Sequence, residues 1–153
     1  MKPVFALHSL PKSIFLAGPT PRDPITASWR PEALSILEEL GFEGHVFVPE
    51  NANWQPHDRH EENQVTWEWE ALNAATVVVF WVPRELTHMP ALTTNVEFGA
   101  YANSGKCLLG YPRAAAKMRY LDRLAQRFHV PVFDDLRATL AAAVAQTRRP
   151  FGE

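Results

Sequence analysis

The chain holds a single cysteine, Cys107, among its 153 residues. No disulfide can form within it, and a reducing compartment is the natural setting for such a sequence. Excess charge is also missing: 15 Lys and Arg stand against 17 Asp and Glu, a formal net charge of −2. The basic residues are scattered rather than gathered into a stripe, which argues against a nucleic-acid-binding surface. No apolar run approaches the ~20 residues of a membrane span. The opening segment MKPVFALHSLPKS has one early lysine and a short apolar stretch broken by His8 and Pro11, a poor signal peptide. These absences predict a cytoplasmic protein with no membrane or nucleic-acid partner. Equally absent are GxGxxG, a Walker-type loop, a cysteine cluster and the GxSxG of serine hydrolases. Nothing in the sequence calls for a cofactor or a metal. The run His57-Asp58-Arg59-His60-Glu61 has the residue types of a ligand cluster, but its spacing matches no established site and suits a solvated loop.

What is present is an ordinary globular composition, 46% hydrophobic and 21% charged, sized for one domain over 1–153 with its core over about 13–147. Strand-like and helix-like segments alternate. Strands are expected at Ser13–Gly18, His45–Pro49, Thr76–Val82, Lys106–Tyr111 and Val130–Phe133. Helices are expected at Trp29–Leu40 (capped by Ser28 and stopped by Gly41), Asn63–Ala74, Thr94–Asn103 (stopped near Gly105), Ala114–Arg127 and Asp134–Thr147. The unalternated TVVVFWV of the third strand suits a parallel strand covered on both faces. The pattern predicts an α/β three-layer sandwich around a five-stranded parallel sheet, flavodoxin-like in order 2-1-3-4-5, with Pro131 placing the last strand at an edge.

In such folds ligands bind beyond the carboxyl ends of the strands, at the switch point between strands 1 and 3. The loops meeting there are Gly18–Asp23, Val48–Gln55 and Val82–Asn95. Arg22 and Asp23 are candidates for contact with a ligand or for a solvated turn pair. Gln64 and Glu68 lie four apart and share a helix face; Trp67 sits beside them, either at the site or packed on a neighbouring loop. Trp81 and Phe80 end the third strand, and one of them is expected to face the cleft or to pack in the core. Trp29 and Trp54 also fall in or beside the cleft loops. Thr94-x-x-Glu97 reads as a capping box, in which Glu97 bonds back to the helix start. A carboxylate there would be held ionised by the helix dipole. Cys107 reads as a small buried apolar residue.

Three segments carry a resemblance. MPALTTNVEFGAY (Met89–Tyr101) resembles the nucleophile segment of the nucleoside 2-deoxyribosyltransferase family. IFLAGPTPR resembles the family's nucleoside-binding first loop, and QVTWEWEALNAATVVVFWVP resembles its transferase-like branch, with a Gln, a Trp-Glu pair and an apolar strand at this spacing. The likeness runs from about Ile14 to Tyr120. It implies that Glu97 is a nucleophile attacking C1′ of a nucleoside to give a covalent glycosyl-enzyme through an oxocarbenium-like transition state. It implies Glu68 as a second carboxylate, and Gly18, Pro19, Thr20, Arg22, Gln64, Trp67, Trp81, Thr94 and Asn95 as substrate-binding residues. It also implies a homodimer or larger homo-oligomer. The sequence departs from the family at Thr76, where many relatives carry an Asp, and at Ala91, where some carry another.

The resemblance implies exchange of the base of a 2′-deoxynucleoside, a role in nucleoside salvage, with nucleosides and free bases as partners. Alternatives are an N-glycosidase acting on nucleosides or their 5′-monophosphates, for which Arg22, Thr93 and Thr94 would cradle a phosphate, and a non-catalytic nucleotide-binding sensor. Aromatic faces at Trp29, Trp54 and Trp81 would hold an acceptor base and favour transfer over hydrolysis.

Overall fold

A computed structural model describes residues 11–50 and 61–149. The sheet has five strands, all parallel, in the order β2-β1-β3-β4-β5: β1 Ser13–Ala17, β2 His45–Phe47, β3 Val77–Trp81, β4 Cys107–Gly110 and β5 Val132–Phe133. The helices are α1 Arg30–Glu39, α2 Glu61–Ala74, α3 Leu92–Tyr101, α4 Arg119–Phe128 and α5 Leu136–Thr147, with a 3-10 turn at Ala102–Ser104. The expected α/β architecture and strand order are both present.

The central strands SIFLA, VVVFW and CLLG are buried at every position. The two-residue alternation of a strand therefore splits into two cores rather than a core and a solvated face. Phe15, Val78, Phe80 and Leu109 face Leu72, Phe98, Leu121 and Ala125 of α2, α3 and α4. Ile14, Leu16, Val77, Val79, Trp81 and Leu108 face Ala33, Ile36, Leu37, Leu140, Ala143 and Val144 of α1 and α5. Each buried Val, Leu, Ile or Phe side chain contributes roughly 1.5–3 kcal/mol, which is why a strand without alternation belongs in the middle of this sheet. The edge strands are short and partly exposed. Gly41 and Gly105 both take the left-handed conformation expected of helix stops.

All five helix starts differ from the sequence reading, by one to five residues, and two of the differences have a clear local cause. The segment before α4 is a loop as far as Met118, because Lys117 adopts φ 56° and Arg84 ties down the Ala116 and Lys117 carbonyls at 3.5 and 2.9 Å. Helix α3 begins at Leu92, two residues early, with Ala91 left-handed (φ 57°) as its N-cap. Glu97 therefore lies in the second turn, and the Thr94–Glu97 capping box does not form. Ser28 precedes the N-cap Trp29, yet its hydroxyl accepts from the Arg30 amide at 3.2 Å. Cys107 is buried, with its thiol donating to the Tyr101 carbonyl at 3.1 Å. Among the described residues no helix is long and apolar enough to cross a membrane.

Candidate active site

The loops after β1, β2 and β3 converge on one cleft at the carboxyl edge of the sheet. Its walls include Gly18, Pro19, Thr20 and Arg22 from the first loop, Pro49 after β2, Glu68 from α2, and Ala91, Leu92, Thr93, Thr94 and Glu97 from α3 and the turn before it. Gly18 has φ 152°, and a Cβ there would meet the Trp81 carbonyl oxygen at 2.1 Å. Only glycine lets the first loop turn this close to β3. The Arg22 amide then donates to the His88 carbonyl at 3.3 Å, joining the first and third loops across the cleft.

Glu97 and Glu68 reach this cleft from different helices. Glu97 is partly buried, and among the described residues no group donates a hydrogen bond to its carboxylate. Burial first, and then the negative charge of Glu68, push its pKa up to about 7, while Arg30 pulls the other way. The expectation that the helix dipole keeps Glu97 ionised is thus overturned. Dipole stabilisation falls off within the first turn, and Glu97 lies in the second, so desolvation and the like charge win. Glu68 accepts from Gln64 Nε2 at 2.8 Å, which fixes its orientation from the preceding turn of α2.

The cleft floor is a cation that the sequence reading passed over. Arg30 is fully buried. Its Nε donates to the Leu16 carbonyl at 3.1 Å, and Nη2 donates to the Gly18 carbonyl at 2.8 Å. Nη1 donates to Thr20 Oγ1 at 3.0 Å and to Glu50 Oε1 at 2.6 Å. Glu50 also accepts from the Ser28 hydroxyl at 3.0 Å. An arginine opening a helix ordinarily reads as solvated. The signal available in the sequence was Glu50, a carboxylate directly after a strand and so at the functional edge of the sheet.

Other candidates are placed elsewhere. Trp81 is only 7% exposed and sits in the α1–α5 core beside Trp29, also 7% exposed, whose indole donates to the Pro19 carbonyl at 3.1 Å. Phe80 packs edge-on against Phe98 with ring centroids 5.1 Å apart. None of the three lines the cleft, so an acceptor slot built on Trp29 and Trp81 is not formed; Trp54 lies outside the described residues. Trp67 packs on Phe15 and Phe47. Asn95 is not among the residues lining the cleft and accepts from Arg84. Asp23 holds its own turn through the Ile25 and Thr26 amides at 2.9 and 2.8 Å. Thr76 lies at the amino end of β3, the edge opposite the cleft, where its backbone amide donates to the Ser13 hydroxyl at 2.9 Å. The departure at Thr76 therefore removes nothing from the cleft. Ala91, the other departure, lines it. Residues 57–60 lie outside the described residues, and Glu61 opens α2.

Fold and site together define a class: a parallel, flavodoxin-like α/β protein with two carboxylates and a buried arginine at the switch point between β1 and β3. The model of the family described as "nucleoside 2-deoxyribosyltransferase like" matches residues 11–115, and the chain belongs to that family. A search of the curated proteins finds no match.

Proposed function

We propose that the protein exchanges the base of a 2′-deoxynucleoside, with Glu97 as nucleophile. The observation that carries the reading is the pairing of Glu97 with Glu68 in the switch-point cleft of a chain belonging to this family. Burial and the Glu68 charge hold Glu97 at about 7, so its ionised form is at hand near neutral pH. The Glu97 carboxylate forms a bond to C1′ as the N-glycosidic bond breaks, and the departing base takes up a proton from water, with Glu68 the carboxyl group placed to relay it. Attack cancels the Glu97 charge, which relieves the cost of holding that charge out of water. The incoming base then reverses the sequence. The first loop and Thr94 would hold the sugar, and Gln64 acts through Glu68.

One observation favours a second reading, hydrolysis. Trp29 and Trp81 lie in the core, so two of the aromatic faces that would hold an acceptor base against water are absent from the cleft. Incubation with deoxyinosine and free adenine tests both. Transfer predicts deoxyadenosine as the main product, with only slow release of free sugar when adenine is withheld. Free sugar at full rate with no deoxyadenosine would make the protein a glycosidase. No product from any common deoxynucleoside or its 5′-monophosphate would leave only nucleotide binding.

The proposal extends to assembly. Val65 and Trp69 of α2 and Leu92 and Val96 of α3 are exposed, at 40, 61, 64 and 72%, on the two helices that flank the cleft. A homo-oligomer that covers them is the expected state. A light-scattering mass near that of one 17.3 kDa chain at micromolar concentration would refute it.

A further inference from the structure

The Arg30–Glu50 pair has no part in the reaction proposed above, yet Arg30 forms the cleft floor and Glu50 is bonded to it. Arg30 draws together the end of β1 (Leu16), the first loop (Gly18, Thr20) and the segment after β2 (Glu50). The ion pair is almost wholly buried, with Arg30 and Glu50 side chains 1% and 5% exposed. A buried arginine satisfied by neutral carbonyls alone would place its full charge on the cleft; a carboxylate bonded to it cancels much of that charge. We propose that Arg30 and Glu50 form a positioning and charge-setting pair, in which Arg30 shapes the first loop and Glu50 limits how much positive charge reaches Glu97 and Glu68.

The groups facing Glu97 support this assignment. They are Glu68 from α2, Arg30 from α1 and Tyr101 on its own helix, with Glu50 bonded to Arg30 and Arg22 lining the same cleft. Arg30 acts on both cleft carboxylates, and burial pushes its own pKa below the ordinary value while Glu50 supports it. The geometry also makes the two partners separable. Gln at position 50 keeps an oxygen that can accept from Arg30 and Ser28 but carries no charge, so the loop stays tied while the field changes.

The pair's role is independent of turnover and is read directly on Glu97. In protein labelled at the glutamate side-chain carboxyl with ¹³C, with the Glu97 signal assigned by its loss in Glu97→Gln, the titration of Glu97 is followed by NMR without substrate. Glu50→Gln is expected to lower the Glu97 midpoint by about half a pH unit or more, because the Arg30 charge is no longer cancelled. Arg30→Gln is expected to raise it by a similar amount. The opposite signs are what a merely structural contact would not produce. A midpoint unmoved or moved the wrong way in either folded variant overturns the proposal. If one variant fails to fold, the sign in the other decides. If neither folds, the pair is a structural support only and the proposal is overturned. Absence of base exchange would sink the transferase reading while leaving this titration result standing.

Discussion

Glu97→Ala is expected to fold normally and to lose at least ~10³-fold in base-exchange activity, the usual scale for loss of a covalent catalyst. The prediction rests on placement: Glu97 is on a helix, faces the cleft, and is coupled by charge to Glu68 and Arg30. It does not cap α3, whose N-cap is Ala91 with no side-chain bond, so removing it takes nothing from the helix start. The check is kcat/KM for deoxyinosine with adenine, beside circular dichroism and a thermal melt. A variant that unfolds, or one that retains most of its activity, removes Glu97 from the role of nucleophile. The same assignment predicts that a slow deoxyribosyl substrate, quenched in acid, leaves its sugar on the peptide that contains Glu97. A sugar found on the Glu68 peptide would exchange the roles of the two residues.

The second large effect is on stability, and its sign follows from the raised pKa. Glu97 titrates near 7 in the folded protein against an ordinary value of 4.5. Between those values the native state binds a proton that the unfolded chain has released, so stability falls as pH rises through this window. Below about pH 4.5 both states are protonated and Glu97 exacts no penalty; above about pH 7 the penalty is complete. Glu97→Gln removes it. The variant should therefore come close to the wild type near pH 4.5 and exceed it at pH 8 by about 3 kcal/mol, the free energy of moving the midpoint from 4.5 to about 7. Urea midpoints of both proteins at the two pH values measure the difference. An equal or lower stability of Glu97→Gln at pH 8 would show that Glu97 is not held out of water as described. Together the two results would describe one trade: a carboxylate that the fold strains to keep and the reaction needs.

Much of the fold was legible because the chain repeats one physical theme. TVVVFWV and SIFLAG lack alternation, and a strand covered on both faces needs none; helical stripes between them require crossovers, and crossovers require a parallel sheet. The carboxyl-edge cleft follows from topology alone, and Gly18, Pro19, Thr20, Arg22, Glu68, Thr94 and Glu97 were all assigned to it from sequence and all line it. What failed were the finer judgements. The Thr94–Glu97 spacing is that of a capping box, but a left-handed Ala91 starts the helix early and turns Glu97 toward the cleft. Trp81 was open to a stacked base or to the more frequent core packing, and Trp29 was placed beside the cleft loops; the packing of α1 and α5 against the sheet puts both in the core. Thr76 looked like a lost acid until the strand direction put it at the far edge.

Sequence pattern alone determined the layers, the parallel sheet and the edge where chemistry would gather, since these depend on hydrophobic periodicity and chain direction, which are local; the flavodoxin-like strand order was an analogy that the long-range pairing of the strands bears out. The electrostatic state of the site was decided only in three dimensions. Glu97, Glu68, Arg30 and Glu50 come from four separate segments, and whether a carboxylate is ionised depends on what surrounds it after folding. Burial and a like charge raise Glu97, a buried arginine restrains that rise, and a second carboxylate restrains the arginine. No local pattern encodes those distances, because each arises from where the sheet brings the strand ends together.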